Sequence, residues 1–104
     1  MIPVVVTDEY ADWINDLRDR AGAQRITARI LRLQLGNPGD VGPVGEGVSE
    51  LRLMFGPGYR VYYATRGDEL IILLAGGDKS SQARDIETAK ELWRAWKDEQ
   101  DEQG

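Results

Sequence analysis

The spacing of apolar residues predicts a strand and then a helix at the start of the chain. The β-branched run from Ile2 to Val6 is short and continuous, as in a strand. The next apolar residues recur at spacings of three and four and form one helical stripe: Tyr10, Trp13, Ile14 and Leu17. Thr7 or Asp8 can cap this helix, because both side chains accept hydrogen bonds from free backbone N–H groups.

A second helix is predicted from about Ala23 to Leu35. Ala21-Gly22 separates it from the first helix, and Gly36 fits the position after its last turn. Its buried stripe consists of Ile26, Ile30 and Leu33. Three arginines repeat at similar spacing and line an adjacent face of the helix: Arg25, Arg29 and Arg32. These arginines either meet phosphate or form an ordinary solvated face.

The segment from Asn37 to Gly47 contains six glycine or proline residues. That composition disfavours both helix and sheet, so the segment is predicted to be an irregular loop. An ordered loop of this length indicates a role beyond connecting two elements.

Three further strands are predicted: Ser49–Phe55, Tyr59–Arg66 and Glu69–Ala75. Gly67-Asp68 is a dipeptide typical of a tight hairpin between the last two strands. The third strand is almost entirely apolar, so we expect it to lie centrally, with both of its faces covered.

A terminal helix completes the pattern, with Asp78, Ser80 or Ser81 as its cap. Its apolar stripe consists of Ile86, Ala89, Trp93 and Trp96. The order βααβββα predicts an α+β fold, in which a helical hairpin and the C-terminal helix pack on a mostly antiparallel sheet. We expect residues 1–97 to form a single domain and residues 98–104 to form an acidic, disordered tail.

Composition narrows the chemistry that the protein can perform. The 104 residues include no cysteine and no histidine, which removes thiol chemistry and the usual neutral-pH acid–base residue. Histidine is also the commonest metal ligand, so we expect no metal and no cofactor. No apolar run reaches membrane-spanning length or resembles a signal peptide, so we expect a cytoplasmic protein without membrane contact.

The net charge of −5 is unevenly distributed. Residues 1–19 carry five acids and one arginine, and residues 98–104 carry four acids and no base. Residues 20–66 carry seven arginines and three acids. This basic middle segment could still meet phosphate, because the local field matters more than the total charge. The alternative is a chance clustering of solvated faces.

Strand alternation predicts a cationic site on one face of the sheet. If Phe55 pairs with Tyr59 across a three-residue loop, Arg52 lies opposite Tyr62. The predicted site comprises Arg52, Arg60, Tyr62 and Lys79. Arginine suits bidentate phosphate contacts, lysine supplies a point charge, and tyrosine can stack on a base.

The second hairpin extends the same face. If Arg66 pairs with Glu69, the register along this hairpin is set, and Arg60 lies opposite Ala75. Residues after that strand continue the face unless Gly76-Gly77 forms a bulge. The alternative for these cations is structural, with Arg60 paired only to a glutamate such as Glu50 or Glu69.

Five segments carry a resemblance to known toxins: GNPGDV, VGEGVSELR, GPGYRVYY, RGDELIILL and GGDKSSQARDI. From about Tyr10 to Leu92, the chain resembles the HigB-like addiction module killer branch of the RelE/ParE type II toxin superfamily. The resemblance implies a RelE-like fold. It also implies a toxin of a toxin-antitoxin system, a ribosome-dependent mRNA endonuclease (mRNA interferase) that inhibits translation and arrests growth.

The resemblance also implies partners. These are the ribosome and mRNA, and a cognate helix-turn-helix antitoxin of HigA type that holds the toxin inactive. Operator DNA would be contacted only through the antitoxin complex. Many members carry lysine where this chain has Gly42 and cysteine where it has Ala75.

The implied reaction is metal-independent attack of a ribose 2′-OH on the adjacent phosphodiester. It needs a base, positive charge on the phosphorane and an acid for the leaving 5′-oxygen. Arg52, Arg60 and Lys79 would supply charge. Without histidine, Lys79, Tyr62 or Glu50 would have to move protons, or the ribosome would have to bend the mRNA. RNA or ribosome contacts are expected from Arg25, Arg29, Arg32 and Arg66.

The sequence is also compatible with two alternatives. The RelE-like fold also serves ParE-type toxins that inhibit DNA gyrase without any nuclease activity, so fold does not decide between them. The other alternative is an inactive member that retains only the binding of its antitoxin.

Overall fold

The computed structural model describes residues 1–103, which contain five strands, three α-helices and one 3₁₀ turn. In chain order these are β1 (Val4–Val6), α1 (Asp8–Asp16), α2 (Arg20–Gln34), β2 (Val41–Gly45), β3 (Val48–Arg52), β4 (Arg60–Arg66), β5 (Leu70–Gly77), a 3₁₀ turn (Lys79–Ser81) and α3 (Gln82–Gln103).

The five strands form one sheet in the order β1-β5-β4-β3-β2. Strand β1 pairs with β5 in parallel, and the other neighbours are antiparallel. Helices cover both faces, because alternate residues of the central strands are apolar on each side. The predicted α+β class, with a mostly antiparallel sheet and a C-terminal helix packed on it, is therefore confirmed and is compatible with a RelE-like fold.

Each sheet face has its own apolar core. On one side, α1 and α2 pack against a cluster that includes Tyr10, Ile26, Ile30, Leu33, Leu51, Leu53, Val61, Tyr63, Ile71 and Leu73. On the other side, α3 packs against a second cluster: Val48, Tyr62, Ala64, Ile72, Leu74, Ala75, Ala89 and Trp93. Strand β5 contributes to both clusters, which confirms the prediction of a central apolar strand.

The break between the two early helices lies before the predicted position. Helix α1 ends at Asp16, and α2 already includes Ala21-Gly22, which was predicted to separate them. The cause is Asp19, whose carboxylate accepts a hydrogen bond of 2.9 Å from the backbone N–H of Gly22 and caps α2. The same carboxylate accepts a 3.0 Å hydrogen bond from the Tyr59 hydroxyl.

The glycine- and proline-rich segment was wrongly predicted to contain no regular structure. Its second half forms β2, an edge strand of the sheet. Pro43 is tolerated there because a missing N–H costs little on an edge. The turn into β3 places Gly45, Glu46 and Gly47 at positive φ, and Glu46 is tied to Arg94 of α3 by contacts of 2.9 and 3.0 Å.

The predicted register of the first hairpin is also wrong. The structure pairs Arg52 with Arg60, not with Tyr62, because the chain between the two strands is longer than a three-residue loop. Phe55 and Tyr59, the predicted partners, lie outside β3 and β4 and contact each other as an edge-to-face aromatic pair. The shift is by an even number of residues, so each side chain keeps its predicted face.

The second hairpin departs from prediction for a different reason. Arg66 pairs with Leu70 rather than Glu69, and an irregularity in the pairing falls between Tyr62 and Tyr63. Beyond this bulge Arg60 lies opposite Gly77 instead of Ala75. A bulge was predicted at Gly76-Gly77, whereas the observed bulge lies earlier in β5. It brings the end of β5 beside Arg60.

The C-terminal helix starts and ends differently from the prediction. Asp78 caps the 3₁₀ turn, accepting a 2.8 Å hydrogen bond from Ser80 N–H, and α3 follows at Gln82. The helix then runs to Gln103, so residues 98–103 are helical where the acidic composition predicts a disordered tail. Gly104, the last residue of the predicted tail, lies outside the described residues. Within residues 1–103, no helix is both long and apolar enough to cross a membrane.

Gly76 provides a test of the packing between α1 and the sheet. A Cβ at this position would lie 2.2 Å from Cε3 of the Trp13 indole, so Gly76→Ala forces the ring or the strand to move. We expect a loss of about 1–3 kcal/mol in the free energy of unfolding, measured by denaturant titration. The same substitution in a Trp13→Ala background should cost clearly less, and equal costs in both backgrounds would contradict the assigned contact.

Candidate active site

Three of the predicted cations meet at one end of the sheet. Arg52 is the last residue of β3 and pairs directly with Arg60, the first residue of β4. Arg60 in turn pairs with Gly77 at the end of β5, two residues before Lys79. The register therefore places the three cations in adjacent positions, although they are distant in sequence.

Glu50 lies beneath two of these cations and is almost completely buried, with 2% of the residue exposed. Its carboxylate accepts a 2.9 Å hydrogen bond from Arg52 Nε and a 2.8 Å hydrogen bond from Gln82 Nε2. Arg60 Nε lies 3.6 Å from the second carboxylate oxygen, which makes an ion pair without a formal hydrogen bond. Glu50 therefore joins two guanidinium groups and the start of α3.

Arg52 also contacts a second carboxylate, that of Asp40. Its Nη1 donates a 2.9 Å hydrogen bond to Asp40 Oδ1, and its backbone N–H bonds to the Asp40 carbonyl at the same distance. Hydrogen bonds to Asp40 and then to Glu50 raise the pKa of Arg52 above its ordinary value, so it remains charged. Gly42 gives the guanidinium room, because a Cβ there would lie 2.7 Å from Arg52 Nη2.

Lys79 reaches the site from the turn that precedes α3. Its backbone N–H lies 3.4 Å from the carbonyl of Pro57, and its side chain is exposed. A Cβ on Gly58 would lie 3.4 Å from Lys79 Cβ and 3.9 Å from Arg60 Nη1, so this glycine is close to both residues. Both cations line one cleft whose other walls are Leu53, Met54, Phe55, Gly56, Pro57 and Gly58.

Tyr62 does not lie on an exposed surface, as was predicted. It is fully buried under α3 in the second apolar cluster. Its hydroxyl makes no well-formed hydrogen bond to any described residue, although the Glu50 carboxylate is its nearby polar group. Burial, reinforced by the nearby Glu50 carboxylate, raises the pKa of Tyr62 well above its ordinary value. This tyrosine therefore cannot stack on a base from its present position, and it holds its proton firmly.

The three arginines of α2 line a second groove that joins the first. Leu53, Met54 and Phe55 are shared between the two grooves, and Met54 is 84% exposed. The rest of this second groove is formed by Arg25, Ala28, Arg29 and Arg32. Among the described residues that line the two grooves, every charged side chain is a cation.

Two of these arginines are already engaged within the fold. The Arg25 guanidinium lies 4.5 Å from the centre of the Phe55 ring. Arg29 donates hydrogen bonds of 2.9 Å to the Arg52 carbonyl and 3.0 Å to the Pro38 carbonyl. Arg29 thus holds the loop before β2 and the end of β3 together, and its role is at least partly structural.

Arg66, the remaining predicted cation, lies elsewhere. It is at the opposite end of β4, six residues or roughly 20 Å from Arg60 at the usual rise of a strand. Its guanidinium lies 5.9 Å from the Trp96 ring, and Trp96 stacks on Trp93 with ring centres 5.6 Å apart. Arg66 therefore does not join the candidate site.

Three residues of the site were missed by sequence reasoning: Asp40, Gly42 and Gln82. Asp40 and Gly42 lie in the segment that was predicted to be an irregular loop, and Gln82 gave no signal of its own. The described residues hold no group of three or more acidic, histidine or cysteine side chains arranged to bind a metal ion.

Comparison with known proteins identifies the family. Residues 12–94 match the family described as phage-derived protein Gp49-like (DUF891). The chain belongs to this Gp49-like family. It is also 45% identical, over 91 residues, to an uncharacterised protein of Haemophilus influenzae, a match that spans 88% of this chain and 92% of that relative. The Gp49-like family is a toxin-like family of the RelE/HigB type, which implies an antitoxin partner.

Substitution of Tyr62 tests whether this residue transfers protons in the Gp49-like site. Because its buried hydroxyl makes no well-formed hydrogen bond in the described structure, Tyr62→Phe should change the free energy of unfolding by less than about 1 kcal/mol. The biological effect of expressing the protein without its antitoxin should also be unchanged. A large loss of that effect in a variant with normal stability would show that Tyr62 takes part in the chemistry.

Proposed function

We propose that this protein is the toxin of a type II toxin-antitoxin system and that it cleaves mRNA on the ribosome. The observation that carries the proposal is the convergence of Arg52, Arg60 and Lys79 at one end of the sheet. Phosphodiester cleavage by a 2′-OH builds negative charge on phosphorus, and fixed cations stabilise that charge. Arg52 and Arg60 lie on paired strands of the sheet, which favours accurate placement of their side chains.

The proton transfers constrain the proposed mechanism. Glu50 is buried and its carboxylate is occupied by Arg52 and Gln82, so it is poorly placed to act as a base. Tyr62 is buried as well. Of the predicted proton-transfer residues, Lys79 has the exposed side chain. In the proposal, the ribosome bends the mRNA so that the 2′-oxygen lies in line with the phosphorus and loses its proton to water as it attacks. Lys79 gives a proton to the leaving 5′-oxygen, and the products are a 2′,3′-cyclic phosphate and a free 5′-OH.

The proposed path of the RNA follows the two joined grooves. The substrate phosphate lies near Arg52, Arg60 and Lys79, and the strand continues past Met54 and Phe55 towards Arg25, Arg29 and Arg32. A series of cations along this path suits a single strand of phosphates. Arg66 lies at the other end of β4, so this path does not include it.

The proposed partners follow from the same role. The cognate antitoxin is a helix-turn-helix protein of HigA type, and operator DNA is bound through the complex with that antitoxin.

A second candidate function, inhibition of DNA gyrase in the manner of ParE, is favoured by one observation. Both Glu50 and Tyr62 are buried, which leaves few groups that could transfer protons in a nuclease.

A reconstituted translation reaction with end-labelled mRNA tests the proposed activity. The purified protein is added with ribosomes and without them. We expect the mRNA to be cut only when ribosomes are present, with the cuts in register with codons. Intact mRNA in both reactions, together with inhibited gyrase supercoiling in a parallel assay, would replace the proposal with the ParE-type alternative. Intact mRNA with active gyrase would indicate an inactive toxin.

Single substitutions test whether Arg52, Arg60 and Lys79 are responsible for the cleavage. Arg52→Ala, Arg60→Ala and Lys79→Ala should each lower the rate of ribosome-dependent cleavage by on the order of 100-fold, because each removes charge from the transition state. Arg66→Ala is the matched control, since it removes an arginine from the same strand as Arg60 but at the other end. Loss of cleavage in the control alone, with thermal stability retained in all four variants, would place the site elsewhere.

A further inference from the structure

Arg52 is the cation of the site with the most internal partners. Its Nε bonds to Glu50 and its Nη1 to Asp40, both at 2.9 Å, and its Nη2 lies over Gly42. A guanidinium has five N–H donors in a planar fork, and the geometry that fits a carboxylate also fits a phosphate. An internal carboxylate, that of Asp40, therefore occupies the outer part of this fork.

The two carboxylates differ greatly in how firmly they are held. Glu50 is buried and joins Arg52, Arg60 and Gln82. The Asp40 side chain is 48% exposed, and the Arg52 side chain is 33% exposed. An exposed ion pair contributes little free energy, whereas removing one member of a buried pair leaves a charge uncompensated. An incoming anion can therefore displace Asp40 far more easily than Glu50.

We propose that Asp40 occupies the place on Arg52 that a substrate phosphate takes, while Glu50 holds Arg52 and Arg60 in position from beneath. Asp40 thereby lowers the affinity of the site for anions, and Glu50 acts as a positioning residue. The identity of the anion as an RNA phosphate rests on the proposed function, whereas the anion site itself does not.

The exchange is feasible because of the local backbone. Asp40 lies just before β2 and is tied to Arg52 by a main-chain hydrogen bond of 2.9 Å, so its side chain can rotate away while its backbone stays in place. Before exchange, the charges of Asp40 and Glu50 cancel those of Arg52 and Arg60. After exchange, one positive charge is free to meet the phosphate.

Titration with inorganic phosphate tests this proposal without requiring any nuclease activity. Backbone amide shifts of Gly42, Arg52 and Arg60 are followed by NMR at constant ionic strength. Asp40→Asn should bind phosphate about two- to fivefold more tightly than the wild type, the range expected from loss of one competing exposed ion pair. Asp68→Asn is the matched control, because it makes the same charge change at an exposed turn at the other end of β4.

Glu50→Gln should have the opposite effect and weaken phosphate binding, because Arg52 and Arg60 lose their fixed orientation. Thermal melting shows whether this variant folds. If it does not fold, the comparison of Asp40→Asn with Asp68→Asn still decides the proposal. Equal phosphate affinity in those two variants, or phosphate shifts confined to residues remote from Arg52, would overturn it.

The role proposed for Asp40 and the proposed nuclease activity can fail independently of each other. If Asp40→Asn binds phosphate more tightly than Asp68→Asn and yet no mRNA is cut, the anion site stands and the nuclease proposal fails. If mRNA is cut in a ribosome-dependent reaction and the two variants bind phosphate equally, the nuclease stands. In that second case, the role assigned to Asp40 fails.

Discussion

Glu50 is a carboxylate in an almost fully buried position, and this constraint organises the functional end of the molecule. An ionised carboxylate removed from water needs several charged or hydrogen-bonding partners to remain there. Here the partners come from three elements: Arg52 on β3, Arg60 on β4 and Gln82 at the start of α3. The same contacts that satisfy Glu50 also fix the spacing of two cations and attach α3 to the sheet.

This arrangement divides one face of the sheet into two parts. Beneath α3 the face is apolar, with Tyr62, Leu74 and Trp93 in the core. Where α3 begins, the face becomes polar, and Arg52, Arg60 and Lys79 lie at its open end. The site thus lies at a boundary, with the rigidity of a packed core on one side and access for a large substrate on the other.

Sequence reasoning predicted which residues share a sheet face but not which residues lie opposite each other. In the first hairpin the faces were correct because the alternation along a strand survives an even shift in register. In the second hairpin the register is shifted by one residue at Arg66, and the bulge returns Arg60 and the end of β5 to a shared face. The pairings failed because a long connection follows Arg52 and a bulge lies between Tyr62 and Tyr63. Neither feature leaves a periodic signal. Burial of Tyr62 was missed because alternation cannot show which part of a face a later helix will cover.

The candidate site was therefore only partly predictable. Arg52, Arg60 and Lys79 were found from alternation, since one face collected all three cations. Asp40 was missed, because it lies in a segment whose glycines and prolines indicated a loop. The second half of that segment forms an edge strand, where proline is acceptable and Gly42 leaves room for a guanidinium. The coarse function came from the family, and the resemblance rests on motifs that surround these same residues.

The most direct test of the central role of Glu50 is the exchange rate of the Arg52 Nε–H proton, measured by NMR in the unliganded protein. If Glu50 accepts that proton in a buried hydrogen bond, exchange should be much slower for Arg52 than for Arg66, whose side chain makes no ion pair among the described residues. Equal exchange rates at the two arginines would contradict the account.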